Sequence, residues 1–179
     1  MSIDEAFADI YRIHHSAICR YVARRLGSAA DHEVHDIASE VFATAWRRRA
    51  AVPPEPLPWL YGVARRVLAN ERRGAERRRR LADRLLTQAP DRVADPVGAD
   101  RPVVLDALDR LSPADREVLA LAAWEALGPA DIAIVLRCSR SAASMRLHRA
   151  RARLREAMSA LDPPSTTAVH LDLTPESIP

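Results

Sequence analysis

The sequence has few of the residues that build disulfides, membrane spans or export signals. Its only cysteines, Cys19 and Cys138, lie far apart in the chain, so neither a disulfide framework nor a cysteine-based zinc site is expected. No apolar run is long enough to span a bilayer, and the N-terminus carries acids where a signal peptide carries basic residues. We therefore expect a folded cytoplasmic protein without membrane insertion.

Motifs of stand-alone catalysis are also missing. The sequence contains no glycine-rich phosphate loop, no nucleophile elbow and no paired-carboxylate signature. We expect a protein that is not an enzyme and that uses no cofactor and no metal.

The spacing of the histidines leaves a metal site open as an alternative. His15 and Cys19 are spaced i, i+4, and His32 and His35 are spaced i, i+3, so each pair nearly shares a helical face. Neither pair makes a site unless a third ligand converges, and ordinary polar or buried side chains are the simpler interpretation. A helical metal hydrolase that uses these histidines and His14 is the corresponding enzyme alternative, which metal analysis of the purified protein would test.

Lysine is absent, so all 27 basic residues are arginines. Guanidinium groups favour bidentate contacts to phosphate and guanine, although codon bias in a GC-rich genome is the simpler reason for the absence. The net charge of +3 conceals basic blocks at 65–84 and 137–155 and an acidic stretch at 91–109. This segregation predicts two separate basic surfaces.

The segment 128–156 has the pattern of a helix-turn-helix. Pro129 suits a first helical turn, and Ser139 is placed to cap a second helix with an apolar stripe from Ala143 to Met158. No acidic residue lies between Arg137 and Arg155, so the arginines along the second helix repel one another. It therefore predicts an anionic partner, namely nucleic acid.

The N-terminal part predicts three more helices. The first runs from about Ile3 to Leu26 and is ended by Gly27, and the second opens at Asp31. Four prolines make AVPPEPLP a loop, so the third helix begins near Pro58 and continues into the basic run ERRGAERRRR. A stripe of that helix looks DNA-facing: Gly62, Arg66, Asn70, Arg73 and Arg77.

Composition then predicts a boundary between two helical units. TQAPDRVADPVGADRP reads as a flexible linker, so we expect the two halves to fold independently. Helical pattern resumes at Val104, and Ser112 to Asp115 is a start signal for a further helix. Beyond Leu161 the sequence has little periodicity and predicts a disordered tail.

The ordered combination of DIASEVFATAWR, PWLYGVARRVLANERR and LSPADREVLALAAWEALGPADIAIVLRCSRSAASMRLHRARARLRE resembles an extracytoplasmic-function sigma factor of bacterial RNA polymerase. The resemblance covers about Ala6 to Met158. It implies an all-α fold of two small helical domains: sigma-2 at 1–86 and sigma-4 at 103–161. It also implies a flexible linker at 87–102 between them, and residues 162–179 form the tail that is predicted to be disordered.

The resemblance implies a transcription initiation factor that binds core RNA polymerase and promoter DNA, with an anti-sigma factor as a further candidate partner. It assigns polymerase contact to Asp36, Glu40 and Arg47. It assigns minus-ten recognition and melting to Arg65, Arg66, Asn70, Arg73 and Arg77. Minus-thirty-five recognition falls to a third set: Arg140, Ser141, Ser144, Met145, Arg146, Arg149 and Arg153.

Some residues depart from the family pattern. Arg66 stands where asparagine is common, and Arg137 replaces the usual turn glycine, so that turn must change its geometry or accept strain. Ser144 and Met145 differ from common family residues, so base preference cannot be transferred. A conventional regulator with a helix-turn-helix and an N-terminal sensing or dimerising domain is the main alternative, but it leaves the second basic helix unexplained.

Overall fold

The computed structural model describes residues 3–27, 31–85 and 102–161. The expected linker at 87–102, apart from its last residue, and the expected tail at 162–179 lie outside these ranges. Within them the chain forms α-helices and one short 3-10 turn and has no strand, which confirms the all-α fold class.

The N-terminal half consists of α1 (Ile3–Leu26), α2 (Asp31–Arg47), a 3-10 turn (Arg49–Ala51) and α3 (Pro56–Leu85). The predicted bounds of α1 and the start of α2 are confirmed. Gly27 ends α1 with φ +71°, a conformation that glycine adopts without a side-chain clash.

The third helix begins two residues earlier than predicted. Pro56 and Pro58 both lie in its first turn, where the backbone N–H groups that proline lacks would have no partner within the helix. The predicted loop was therefore too long, because residues 56–58 belong to the helix.

The C-terminal half consists of α4 (Val103–Asp109), α5 (Pro113–Ala123), α6 (Pro129–Leu136) and α7 (Arg140–Leu161). Ser112 caps α5 as predicted, because its hydroxyl accepts a hydrogen bond from the Asp115 backbone N–H at 3.1 Å. Helices α6 and α7 form the predicted helix-turn-helix.

The two halves share one hydrophobic core. Ile18, Val41 and Leu60 of the N-terminal half belong to the same buried cluster as Leu121 and Ile132 of the C-terminal half. Helix α3 packs on α6, where a Cβ built on Gly62 would lie 3.6 Å from the Val135 backbone. The halves are therefore closed on each other in this structure.

Candidate nucleic-acid interface

Helix α7 presents an exposed polar face above a buried apolar one. Ser139 caps it by accepting a hydrogen bond from the Ala142 N–H at 3.2 Å, and Ala143, Leu147 and Ala150 are buried. All the predicted contact residues on this helix are exposed: Arg140, Ser141, Ser144, Met145, Arg146, Arg149 and Arg153. The Met145 side chain offers an apolar surface that is 55% exposed.

The turn before α7 holds a non-glycine residue in the left-handed region. Arg137 has φ 53° and ψ 52°. The N–H of Cys138 donates to the Ala133 carbonyl at 3.0 Å, and that of Arg137 donates to Ile134 at 3.3 Å, which is the Schellman arrangement that closes a helix. Arg137 thus accepts the strain that a glycine would avoid.

Arg153 is engaged within the protein. Its Nη1 donates to Oδ2 of Asp115 at 2.7 Å, and the Ser112 hydroxyl donates to the same oxygen at 2.7 Å. The hydrogen bond from Ser112 is the main reason that the pKa of Asp115 lies below its usual value of 3.8, with Arg153 adding to the effect. Arg153, which the resemblance assigns to minus-thirty-five recognition, therefore also ties α7 to α5 through its guanidinium.

Helix α3 carries the second expected DNA surface. Arg65, Asn70, Arg73 and Arg77 are exposed, and Arg73 donates a hydrogen bond to the side-chain carbonyl of Asn70 at 2.5 Å. This bond orients the amide group of Asn70, which lies on an exposed side chain. Gly62 was wrongly placed on this stripe, since it is buried against α6.

Arg66 lies in a concentration of positive charge between the halves. It is half-buried, and burial lowers its pKa, with the positive charges of Arg137 and Arg48 lowering it further. An arginine stays protonated despite such shifts. Arg66 therefore remains charged although two other arginines, Arg48 and Arg137, raise the positive potential around it.

The two expected DNA surfaces are not separate in this structure. Arg65 of α3 lines one cavity of about 430 Å³ together with Arg146, Arg149 and Arg153 of α7. Asp115 and Glu117 of α5 line the same cavity. In the closed chain the two basic surfaces therefore meet at Arg65, whereas Asn70, Arg73 and Arg77 do not line this cavity.

The expected polymerase-binding face lies on the outer side of α2. Asp36, Glu40 and Arg47 are exposed, and Arg47 forms an ion pair with Glu40 at 3.0 Å. Asp36 and Glu40 also border a groove of about 860 Å³ whose opposite wall includes Arg66 and Asn70. The acidic face and the asparagine thus share one groove.

A buried charge cluster joins the halves, and it consists of Arg24 and Arg25 of α1 with Glu117 and Glu125 of the C-terminal half. Nη1 of Arg25 lies 3.1 Å from Oε1 of Glu125, and its Nε lies 3.3 Å from Oε2 of Glu117. Arg24 pairs with the second oxygen of Glu125 at 2.5 Å. The side chains of Arg25 and Glu125 are only 8% and 2% exposed.

Tyr21 extends the charge cluster. Its hydroxyl donates to Glu117 at 3.2 Å, and the Arg25 guanidinium lies 3.4 Å from the centre of its ring. Burial is the main cause that raises the pKa of Tyr21, so it stays a neutral donor. Sequence reasoning missed this cluster because about one hundred residues separate the partners, and no local pattern marks such a pair.

Comparison with known proteins agrees with this geometry. Residues 10–78 match the family model for Sigma-70 region 2, and residues 102–154 match that for Sigma-70, region 4. The ECF RNA polymerase sigma factor SigL of Mycobacterium tuberculosis is 30% identical over 145 residues, covering 78% of this chain and 81% of the relative. The RNA polymerase sigma-E factor of Streptomyces antibioticus is 31% identical over 159 residues, covering 87% of this chain and 86% of the relative.

Solved structures share the fold. The sigma factor RpoE of Bartonella quintana, in complex with the anti-sigma factor NepR, aligns with a TM-score of 0.61 at 20% identity over 87% of this chain and 98% of that one. CnrH in complex with the cytosolic domain of CnrY gives a TM-score of 0.57 at 23% identity, covering 88% and 90%. No helix in the described ranges is long and apolar enough to cross a membrane. The two family models and the relatives at 30% and 31% identity show that the chain belongs to the extracytoplasmic-function sigma factors, the initiation factors that direct RNA polymerase to promoters.

Proposed function

We propose that α3 reads the minus-ten element, that α7 reads the minus-thirty-five element, and that the outer face of α2 binds core polymerase. The observation that carries this proposal is the presence of two exposed arginine-rich helices, α3 and α7, in one chain. A conventional helix-turn-helix regulator needs only α7. Co-purification with core RNA polymerase, followed by transcription from a cognate promoter, distinguishes the two functions.

The polymerase contact is assigned to Asp36 and Glu40 because both are exposed acids beside the apolar face of α2. Such a surface suits a helical partner that bears basic residues. The double variant Asp36→Arg/Glu40→Arg should weaken core binding without unfolding the protein. Asp4→Arg/Asp9→Arg on α1 makes the same change in charge at another surface and should bind normally; unchanged binding by the α2 variant would remove this interface.

In α3, Asn70 is the residue best suited to hold an extruded base. Its carbonyl accepts from Arg73, which fixes the amide plane and directs its donors outward. Arginines at positions 65, 73 and 77 provide phosphate contacts on either side. Captured unstacked bases in one strand would then stabilise the open DNA.

In α7, the residues near the N-terminus are suited to read bases. Ser141, Ser144 and Met145 are exposed there, at the end of a recognition helix that usually reaches base edges. Hydroxyls adapt to several edges, and the methionine offers an apolar contact to a thymine methyl. Arg140, Arg146 and Arg149 would position the helix on phosphates.

Promoter binding requires that the closed chain opens. The names of the two elements place them about 25 base pairs apart, which is roughly 85 Å of duplex at about 3.4 Å per base pair. Arg65 and Arg146 line the same cavity of about 430 Å³, so they cannot contact both elements at once. The closed arrangement is therefore the form of the chain that is free of promoter DNA.

An anti-sigma factor is the partner that would exploit this closed form. The structural neighbours RpoE and CnrH were solved with the anti-sigma factor NepR and with the cytosolic domain of CnrY. A similar partner of this chain would hold the halves together. Because core polymerase and chromosomal DNA are cytoplasmic in bacteria, we place the chain there, and we infer that it supplies specificity and strand separation but no catalysis.

A further inference from the structure

Three metal-ligating side chains meet where α1 packs on α2. They are His15 and Cys19, one turn apart on α1, and His35 on α2, and one ligand atom from each lies within 4.8 Å of the others. The sequence pairs His15 with Cys19 but gives no third ligand. The fold supplies it, because packing of α2 on α1 brings the His35 ring over the His15 ring at 6.0 Å between centroids.

The distances suit a small tetrahedral ion. Sγ of Cys19 lies 3.7 Å from Nε2 and 3.8 Å from Nδ1 of His15. Ligand atoms around Zn²⁺, with bonds of about 2.0 Å to nitrogen and 2.3 Å to sulfur, lie roughly 3.3–3.5 Å apart. For the Cys19–His15 pair a contraction of a few tenths of an ångström is enough. The ligand atom of His35 lies within 4.8 Å of the other two, and rotation of this exposed ring about its broad χ2 torsion brings a nitrogen closer to them.

The surroundings leave the site accessible and partly ordered. His35 is exposed, whereas His15 and Cys19 are half-buried, so an ion can enter from solvent. The His15 ring also packs against Tyr11 at 4.9 Å and Phe42 at 5.9 Å between ring centroids. These contacts restrict the ligand before any ion binds, which lowers the entropy lost on binding.

We propose that His15, Cys19 and His35 bind a divalent zinc-like ion that pins α1 to α2, with water as the fourth ligand. Two imidazoles and one thiolate form a donor set that zinc accepts. The ion would bind only the folded chain, because the third ligand converges only when α2 packs on α1. Binding should therefore raise the melting temperature by linkage.

The test uses the full-length, tag-free protein, reduced and stripped of metal. Zn²⁺ affinity is measured by competition with a chromogenic chelator, and Co²⁺ is added as a spectroscopic probe. We expect one ion per chain, a thiolate-to-cobalt charge-transfer band, tetrahedral d–d bands and a higher melting temperature with Zn²⁺. Absence of stoichiometric binding would overturn the proposal.

Variants assign the ligands. Cys19→Ser is nearly isosteric and should abolish the charge-transfer band, and His35→Ala removes an exposed ring and should weaken affinity by at least about tenfold. Cys138→Ser and His32→Ala are the matched controls, because they remove the other cysteine and a neighbouring exposed histidine of α2. Both controls should bind like the wild type. An equal loss in a control, or full binding by His35→Ala, would contradict the site.

Discussion

Removal of Arg25 should open the closed chain. The variant Arg25→Ala deletes the ion pairs to Glu117 and Glu125 and the stacking contact with Tyr21. Loss of one partner from a buried ion pair costs about 3–5 kcal/mol, because the remaining charge stays buried without its counterpart. Arg24 still pairs with Glu125, so we expect the lower end, about 3 kcal/mol.

This loss is large enough to see in the shape of the molecule. About 3 kcal/mol shifts a closed-to-open equilibrium roughly a hundredfold toward the open form. Small-angle scattering should show a larger radius of gyration, and hydrogen exchange should quicken in α6, which loses its contact with α3. Arg20→Ala replaces an exposed arginine on the same helix and should change neither quantity. Wild-type scattering and exchange in Arg25→Ala would refute the stabilising role of the charge cluster.

Substitution of Gly62 tests the same interface without removing a charged side chain. A Cβ at this position meets the Val135 backbone at 3.6 Å, which is ordinary van der Waals contact, so Gly62→Ala should remain closed. Gly62→Leu has no room for its further carbons against the α6 backbone and should open the halves. Agreement between Gly62→Leu and Arg25→Ala in scattering would attribute the expansion to the interface rather than to loss of one arginine.

Four further outcomes follow from the described residues. Arg153→Ala removes the charged partner of Asp115 and should destabilise the protein to urea by about 1 kcal/mol, because Arg153 is more than half exposed and Ser112 still bonds Asp115. Since the folded pKa of Asp115 is depressed, this difference should be present above pH 4 and vanish as pH falls through the folded pKa. Arg137→Gly should stabilise the protein by about 1 kcal/mol by relieving the left-handed strain, and Arg137→Ala, which keeps the strain, should not. Asn70→Ala should impair open-complex formation by about 1–3 kcal/mol more than it weakens initial promoter binding, and equal defects in the two steps would contradict the role of Asn70. Ser144→Arg should change the motif selected from randomised minus-thirty-five DNA, and selection of the wild-type motif would contradict the role of Ser144.

Local sequence signals predicted most helix boundaries. The residue after α1 is a glycine with positive φ, and Ser112 and Ser139 accept the backbone hydrogen bonds expected of caps. These signals work because each depends on partners within three or four residues. The start of α3 was predicted two residues late, since Pro56 and Pro58 were counted as helix breakers although a first turn tolerates them.

Periodicity recovered the buried faces incompletely. A helical period places Ile18 and Val22 on the apolar face of α1, and both are buried. The same period does not select Tyr21, which is fully buried between Tyr61 and Arg25. A tyrosine is buried only when its hydroxyl has a partner. Here the partner is Glu117, 96 residues away, so no window along the sequence could have shown it.

The same limit applies to the arginines of α7. Their sequence contains no acid between Arg137 and Arg155, and the inference that they require an anionic partner counted only neighbours along the helix. The fold brings Asp115 and Glu117 of α5 into the cavity that Arg65, Arg146 and Arg149 also line. With Arg153, four arginines line this cavity and repel one another. The two carboxylates offset that repulsion in the closed chain. In the proposed promoter complex, DNA phosphates would offer the same compensation to Arg65 and Arg146 on surfaces that lie far apart. We therefore expect closure and promoter binding to compete for the same guanidinium groups, and the charge cluster at Arg25 to set how strongly closure competes.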